Sequence, residues 1–386
     1  MVQRVFNKID LNLALFFNGQ RGLSVFNSLK DKVNIKCIFI AKKNLDNKNL
    51  KKIKKKFIII NSTNDPTIFK ILKKEQINLI VSAGFPYIFG KNFFNKNKNI
   101  DILNLHGGPV PRYRGGSPLT WQKIEGRKNI GISVIKINRF IDSGKIMGVK
   151  FFQNNEKDNI KTIQNKANKI FSDLLWDVIK KNYLNVNIKI STKKLLPSKY
   201  YYQRKPEDSL INLEKTNLEK LCNFHKALVP LYNPPYLYYG DEKVHLKKIE
   251  TTKQKSDNRK GFVEKKKNNF YLNLKDKKVK LIEASLNLKK IQNKFLASIK
   301  LERDTWLQNL YKRDCFITNN ENYIKLFKNY KKSFIFLKTK KPIDKKNFLD
   351  LKIKFIGTNK LFFKDIENIK NYQKKNNIIY KTNPND

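Results

Sequence analysis

The chain has 386 residues, 40% of them hydrophobic, which is enough sequence for two or three domains that each bury a core. Lys and Arg number 82 against 32 Asp and Glu, and the net charge of +50 would attract any polyanion, including tRNA, a nucleotide sugar or an anionic membrane surface. Because the lysines are spread along the whole chain together with abundant Asn and Ile, the charge alone does not indicate nucleic-acid binding.

The first half of the chain alternates strand-like and helix-like segments. Apolar runs bounded by turn residues predict strands at 11–17, 35–40, 57–60, 79–82, 102–105 and 131–137. A tight turn is predicted at 18–22, with helices at 23–29, 67–74 and 160–183. This alternation predicts an α/β fold with a doubly wound, mostly parallel sheet and helices on both of its faces.

Beyond residue 195 the pattern becomes strand-rich. Residues 197–205 are predicted to be a linker and 218–228 a helix, and strands follow at 244–249, 262–264, 270–274 and 279–284, which is typical of a small β-barrel. Later strands are predicted at 334–338 and 353–356, with a frayed end at 376–386. The sequence therefore predicts three domains, at 1–195, 206–300 and 301–386, the last an unidentified α/β extension.

The cysteines and the apolar runs bear on metal binding and membrane insertion. Cys37, Cys222 and Cys315 stand far apart without Cys-x-x-Cys spacing, so the sequence predicts neither a disulfide framework nor a metal site. No run approaches the roughly 18 apolar residues that a membrane-spanning helix needs, and Asp10 and Asn18 interrupt the N-terminal apolar stretch. We therefore expect a cytoplasmic protein without membrane insertion.

Chemistry-bearing residues gather after the apolar run 102–105. Asn104 and His106 are two residues apart, so both side chains leave the same face of an extended strand. A Gly- and Pro-rich loop follows, and Asp142 lies in an Asp-Ser-Gly turn after the next apolar run. Each motif alone is ordinary turn chemistry, but together they supply the amide, imidazole and carboxylate that acyl transfer to an amine needs. We predict that Asn104, His106 and Asp142 form a catalytic site.

These motifs resemble those of the formyltransferases that use 10-formyltetrahydrofolate. That family carries Asn-x-His before a Pro-rich turn and an Arg-Gly segment, followed at a fixed distance by Asp-x-Gly, and all three positions match here. The segment Arg112-Tyr113-Arg114-Gly115 is most similar to members acting on nucleotide-linked amino sugars, including the formyltransferase half of the enzyme for UDP-4-amino-4-deoxy-L-arabinose. The resemblance covers residues 11–250 and implies a Rossmann-like catalytic domain followed by an OB-like β domain.

The resemblance also implies residues that bind the two substrates. In the family, the loop after the fourth predicted strand lines the pocket for the pterin ring of 10-formyltetrahydrofolate. The residues assigned in this way are Phe85, Pro86, Tyr87 and Ile88 for the donor, and Arg112, Arg114 and Gly115 for the acceptor. The aromatic side chains suit a flat ring, although core packing would explain any one of them equally well.

Two acceptors remain open, a nucleotide-linked amino sugar and initiator methionyl-tRNA. Methionyl-tRNA formyltransferases share the Asn, His and Asp of the predicted catalytic site, but they carry a Pro- and Gly-containing loop after the second strand. Here residues 41–46 lead instead into a Lys-rich stretch without Pro or Gly. The sequence therefore favours the small-molecule amine, with tRNA as the alternative and no obligate protein partner evident. A folate- or RNA-binding protein without catalysis is disfavoured because all three reactive groups are present.

Overall fold

The computed structural model describes residues 11–43, 53, 55–192, 197–257 and 259–298, together with five short strands between residues 302 and 381. The chain divides into two compact units. The first comprises Met1–Asp208 with Asn223–Tyr232, and the second comprises Ser209–Cys222 with Asn233–Asp386. Within the described ranges, no helix combines the length and the apolar composition needed to cross a membrane.

The first unit is built on one large sheet. The strands described in this unit are β1 (Asn12–Phe17), β2 (Asn34–Ala41), β3 (Ile58–Ile60), β4 (Leu79–Ala83), β5 (Asp101–His106), β6 (Arg114–Gly115), β7 (Asn129–Lys136), β8 (Lys145–Gln153) and β9 (Tyr200–Tyr201). Seven of them form a sheet in the order β3-β2-β1-β4-β5-β7-β8. β1 to β5 run parallel, and β7 and β8 add to one side as antiparallel strands. The mostly parallel sheet predicted from the sequence is confirmed.

Helices cover both faces of this sheet. They are α1 (Gly19–Leu29), α2 (Pro66–Lys74), α3 (Lys91–Lys96), α4 (Pro118–Ile124) and α5 (Ile160–Tyr183). Side chains of β1 alternate between two apolar clusters: Leu15 packs with residues of α1 and α5, whereas Phe16 packs with residues of α2 and α3. Burial on both faces explains why β1 is a continuous apolar run, and it confirms the doubly wound arrangement.

Two local predictions for the first unit were wrong. Residues 18–22 do not form a tight turn, because α1 already begins at Gly19. Gly22 lets this helix lie against the end of β1, since a Cβ there would be 2.0 Å from the Phe17 ring. Residues 197–205 are not a free linker, because β9 pairs with β6 and Tyr201 is buried. Tyr201 stacks on Tyr113, a contact distant in sequence that leaves no local signal.

The second unit contains a five-stranded antiparallel sheet. Its strands are β10 (Tyr236–Tyr239), β11 (Glu242–Lys255), β12 (Val263–Lys266), β13 (Asn269–Asn273) and β14 (Lys277–Ala284), in the order β10-β11-β14-β13-β12. In chain order, a 3-10 turn at Pro206–Ser209 and α6 (Leu218–Leu228) precede these strands, and α7 (Leu288–Ile291) follows them. Leu246, Leu272 and Leu281 are almost fully buried in the sheet core. The strands predicted for this part of the chain are confirmed as an antiparallel sheet, and closure into a small β-barrel stays a prediction.

Short strands are also described between residues 302 and 381. They are β15 (Glu302–Arg303), β16 (Cys315–Thr318), β17 (Phe334–Leu337), β18 (Phe355–Gly357) and β19 (Ile379–Lys381). β15, β16 and β17 form one sheet, and β18 pairs with β19. β17 and β18 overlap the strands predicted there, whereas β19 falls in the segment predicted to be frayed. The rest of that segment lies outside the described residues.

Candidate active site

The carboxyl end of β5 carries two of the predicted reactive side chains. Asn104 lies opposite Ser82 on the parallel strand β4 and opposite Ile135 on the antiparallel strand β7, and His106 lies opposite Ser133. Ligands of open parallel sheets bind beyond such strand ends. Within the described part of the chain, the Asn104 side chain has no hydrogen-bond partner, so its amide is available to a ligand.

Asp142 lies beside His106. The Oδ1 atom of Asp142 is 3.5 Å from Nδ1 of His106, and their side chains are only 13% and 6% exposed. The Oδ2 atom accepts a hydrogen bond of 2.9 Å from the backbone amide of Gly115. Asp142 has a φ of +47°, and a Cβ at Gly144 would lie 2.0 Å from the carbonyl oxygen of Lys136, so this turn needs its glycine. The Asp-Ser-Gly turn thus holds the carboxylate against the imidazole.

The ring orientation of His106 follows from its second partner. Nε2 contacts the carbonyl oxygen of Tyr113. A carbonyl oxygen only accepts hydrogen bonds, so Nε2 carries a proton. Nδ1 is then the nitrogen that faces Asp142, and a proton on Nδ1 makes the ring an imidazolium next to a carboxylate.

The loop after β5 is fixed by buried polar side chains. The Gln122 amide on α4 donates to the carbonyl oxygens of Gly107 and Gly131 at 2.9 and 3.0 Å, and its oxygen accepts from the Gly131 amide at 2.8 Å. Ser133 on β7 donates to the Gly108 carbonyl at 2.9 Å. These bonds satisfy backbone groups inside the protein, so the loop that leads to Tyr113 is held in one conformation.

A small cavity of about 190 Å³ opens beside Asn104. It is lined by Ser82, residues 85–89, Asn104 and residues 137–142. The four residues predicted to bind the donor therefore all lie in its wall. Their environments differ: Ile88 is 71% exposed, whereas the Phe85 ring also packs on Phe16 of the core at 5.4 Å. Phe85 thus lines the cavity and belongs to the core packing at once.

A larger cavity of about 580 Å³ also has Asp142 in its wall. It is lined by Val110, Pro111, Arg114, residues 142–146 and Thr192. Arg114 donates from Nε and Nη2 to the carbonyl oxygen of Ile141 at 3.1 and 2.9 Å, which ties residues 112–115 to the turn of Asp142. Arg112, assigned to the acceptor by resemblance, lies elsewhere, with Nη2 3.9 Å from Oε2 of Glu125.

Some residues around the site were not predicted from the sequence. Arg21 on α1 donates to the carbonyl oxygen of Leu105 at 3.3 Å, and burial lowers the pKa of its guanidinium to about 10. Glu125 and Tyr201 join Tyr113 in a hydrogen-bonded group, although only the run of tyrosines at 200–202 hinted at a special role for that segment.

Among the described residues, no group of three or more His, Cys, Asp or Glu side chains could hold a metal ion.

Part of this chain is similar in sequence to known formyltransferases. The formyl transferase family matches residues 32–179. The methionyl-tRNA formyltransferase of Buchnera aphidicola from Acyrthosiphon pisum is 31% identical over 192 residues, covering 48% of this chain and 57% of that protein. The bifunctional polymyxin resistance protein ArnA of Wigglesworthia glossinidia brevipalpis is 27% identical over 231 residues, covering 58% of this chain and 34% of that protein. The chain thus spans about half the length of the curated relatives it matches.

Among solved structures, two formyltransferases superpose on part of this chain. A sugar N-formyltransferase from a Shewanella species superposes with a TM-score of 0.49 at 21% identity, covering 62% of this chain and 97% of that chain. The methionyl-tRNA formyltransferase from Clostridium thermocellum superposes with a TM-score of 0.45 at 23% identity, covering 63% of this chain and 94% of that chain.

Proposed function

We propose that this chain, whose residues 32–179 match the formyl transferase family, transfers a formyl group from 10-formyltetrahydrofolate to a primary amine. The observation that carries the proposal is the position of Asp142, which lines both cavities and lies 3.5 Å from His106. A formyl donor in the smaller cavity and an amine in the larger one would therefore meet at one carboxylate. Holding two reactants at one point is what a transfer between them requires.

The smaller cavity supports the assignment of the donor. Its wall combines the aromatic and apolar side chains of Phe85, Pro86, Tyr87 and Ile88 with the free amide of Asn104. Flat ring systems bind between apolar walls with a few oriented polar groups, and this wall offers both. A formyl group at the end of such a ring system would lie next to Asn104 and Asp142.

The proposed chemistry needs only groups that the chain supplies. The amine nitrogen bonds to the formyl carbon, the bond from that carbon to N10 of the donor breaks, and tetrahydrofolate leaves. Negative charge develops on the formyl oxygen, and the Asn104 amide donates a hydrogen bond to it. Asp142 accepts the proton that the attacking nitrogen loses and passes it to the leaving N10, so the site is unchanged after each cycle.

His106 acts through Asp142 in this scheme. Both ring nitrogens of His106 face protein groups, so His106 offers no donor to the formyl oxygen. We propose that the imidazolium stabilises the Asp142 carboxylate through its Nδ1 proton and keeps that carboxylate oriented toward the reacting nitrogen. Asn104 is then the side-chain donor that faces the formyl oxygen.

For the acceptor, we propose a nucleotide-linked amino sugar. The wall of the larger cavity contains Asp142, Arg114 and Lys145. Asp142 would bind the amine of the acceptor. A diphosphate needs cationic neighbours, and its sugar amine needs a carboxylate, so this wall suits both ends of such a molecule. The resemblance of residues 112–115 to sugar-modifying members points the same way.

Initiator methionyl-tRNA is the second candidate. Several curated relatives are methionyl-tRNA formyltransferases, including the Buchnera protein at 31% identity. The net charge of +50 would also favour a polyanionic acceptor. An aminoacylated 3′ end presents a primary amine too, so the same reaction chemistry applies to it.

An acceptor panel tests the proposal. Purified protein is incubated with 10-formyltetrahydrofolate and either nucleotide amino sugars or aminoacylated initiator tRNA, while tetrahydrofolate release is followed by absorbance and the product by mass. We expect release with at least one nucleotide amino sugar and none with the matching sugar that carries a hydroxyl in place of the amine. Release with no amine overturns formyl transfer, and release with the tRNA alone overturns the sugar acceptor.

A further inference from the structure

Four side chains form a closed polar group next to His106. We call it the tyrosine–carboxylate network, consisting of Tyr113, Glu125, Arg127 and Tyr201. The Tyr113 and Tyr201 hydroxyls donate to different oxygens of Glu125 at 2.6 and 2.5 Å. Arg127 donates from Nε to the Tyr113 hydroxyl at 2.8 Å and from Nη2 to Glu125 at 3.1 Å. The two tyrosine rings stack with centroids 4.9 Å apart.

The network has one protonation state at neutral pH. Burial alone would raise the pKa of Glu125, but hydrogen bonds from Tyr113, Tyr201 and Arg127 outweigh it and hold that pKa below its ordinary value. Burial and the bond to Glu125 together raise the pKa of each tyrosine. Glu125 is therefore ionised and both phenols stay protonated, which keeps each hydrogen bond charge-assisted and short.

The network touches the reaction site through the backbone of Tyr113. The Tyr113 carbonyl is the group that accepts from Nε2 of His106, and its side chain is almost fully buried within the network. Two residues further, Gly115 donates its amide to Asp142. The backbone from 113 to 115 thus contacts both ends of the His106–Asp142 pair, and the network fixes the start of that backbone.

In an inference that rests on the proposed function, we propose that Glu125 and Tyr201 are positioning residues for formyl transfer. They hold Tyr113 so that its carbonyl keeps His106 with Nε2 protonated and Nδ1 turned to Asp142. Neither residue lines the two cavities, so both act through Tyr113 and not on a substrate. Displacing a reacting group by about 1 Å can lower the rate about 10²-fold. A rigid Tyr113 would prevent such a displacement of the His106–Asp142 pair.

A matched pair of tyrosine variants tests this kinetically. Tyr201→Phe removes a phenol bonded to a carboxylate within the network. Tyr183→Phe removes a phenol that donates to Asp101 at 2.8 Å, at the opposite end of β5 from His106. We expect kcat to fall about 10-fold in Tyr201→Phe and about 10- to 100-fold in Glu125→Gln, with KM for the formyl donor within about twofold. Tyr183→Phe should keep the wild-type kcat.

Nitrogen NMR provides a readout independent of turnover. The chain has only 3 histidines, so ¹⁵N-histidine labelling gives a simple ring spectrum, and His106→Gln assigns the His106 signals. In wild type and Tyr183→Phe, Nε2 of His106 should give the signal of a protonated nitrogen that donates to a carbonyl oxygen. In Tyr201→Phe and Glu125→Gln, we expect this Nε2 signal to shift or broaden, because the Tyr113 carbonyl is no longer held in place.

The two readouts separate the possible failures. If the wild-type protein transfers no formyl group, the proposed function fails, while the comparison of the Nε2 signals still reports on positioning. Wild-type kcat together with an unchanged Nε2 signal in Tyr201→Phe overturns the positioning role, even if Glu125→Gln does not fold. An equal loss of kcat in Tyr201→Phe and Tyr183→Phe overturns it as well, because that pattern is a general loss of stability.

Discussion

The backbone amide of Gly115 donates a 2.9 Å hydrogen bond to Oδ2 of Asp142, while Oδ1 of the same carboxylate lies 3.5 Å from Nδ1 of His106. Gly115 has a φ of +93°, and a Cβ there would lie 2.1 Å from the carbonyl oxygen of Tyr201. A glycine is therefore required where this loop meets the turn of Asp142. The Asp142 carboxylate is therefore oriented by the backbone at Gly115 as well as by its own turn.

Replacing Gly115 with alanine should disturb this contact. We expect Gly115→Ala to lower kcat by about 10-fold or more and the free energy of unfolding by about 1–2 kcal/mol, because the methyl group strains a positive φ and displaces the amide from Asp142. Gly90→Ala is the matched control, since Gly90 has a φ of −83° and open space around its Cβ position. Steady-state kinetics and urea unfolding of both variants measure the effect. Wild-type kcat in Gly115→Ala would show that the amide does not orient Asp142.

The triad itself gives the most direct mutational test. Asp142→Asn removes the proposed proton acceptor while keeping the shape of the side chain, and His106→Ala removes the imidazole beside it. We expect each variant to lower kcat by about 10²-fold or more with the fold intact, as judged by circular dichroism and thermal unfolding. A variant that folds normally and keeps the wild-type kcat contradicts the proposed reaction.

Local sequence signals predicted many of the elements of the fold. α5 begins and ends where the sequence places it, because Asn159 and Thr162 form a capping box at its start and apolar residues recur along its length. β8 was missed because only Met147, Gly148 and Val149 of its nine residues are buried, so it lacks a clear alternation. A strand at the sheet edge carries too weak a pattern to be read alone.

The site was predictable only as far as it depends on side-chain identity. Asn104, His106 and Asp142 could be selected by type and spacing, and the structure brings the last two within 3.5 Å. The contact of His106 with the Tyr113 carbonyl involves a backbone atom, which every residue has, so no sequence pattern marks it. Tyr201 bonds to Glu125 across 76 residues of sequence, and only the folded chain reveals such a contact.

Lys123 should make stability depend on pH in the alkaline range. Its side chain is 2% exposed and donates to Asn154 at 2.8 Å, and burial, followed by the nearby Lys226, lowers its pKa from 10.5 to about 8. Between these two values the unfolded chain binds more protons at this residue than the folded chain does. The free energy of unfolding contributed by Lys123 therefore rises with pH over that window.

A neutral replacement removes this dependence. Between pH 7.5 and 10 we expect wild type to gain about 1–3 kcal/mol of stability relative to Lys123→Met, because other titrating groups are the same in both proteins and cancel. Urea unfolding of both proteins at the two pH values gives the difference. A constant difference between them would mean that the folded-state pKa of Lys123 is not lowered.

The domain organisation remains a proposal that truncation can test. We propose that residues 1–195 form the catalytic domain, 206–300 the β domain and 301–386 an extension outside the reaction site. Asn104, His106, Asp142 and both cavities lie before residue 193, so a chain ending at residue 304 should keep kcat within about threefold. A large loss of kcat with unchanged thermal stability would show that the extension contributes to the reaction.

Salt dependence distinguishes the two acceptors. A nucleotide sugar carries only a few charges, so raising the salt from about 50 to about 200 mM should raise its KM only a few-fold. A tRNA that contacts several phosphates would lose about 10³-fold or more in affinity over the same range, because each neutralised phosphate releases a counterion. The measurement is kcat/KM for each acceptor against the logarithm of salt concentration, with an uncharged amine as the control. A shallow slope for the acceptor with the highest kcat/KM supports the sugar, whereas a steep slope for that acceptor excludes the sugar and identifies the tRNA.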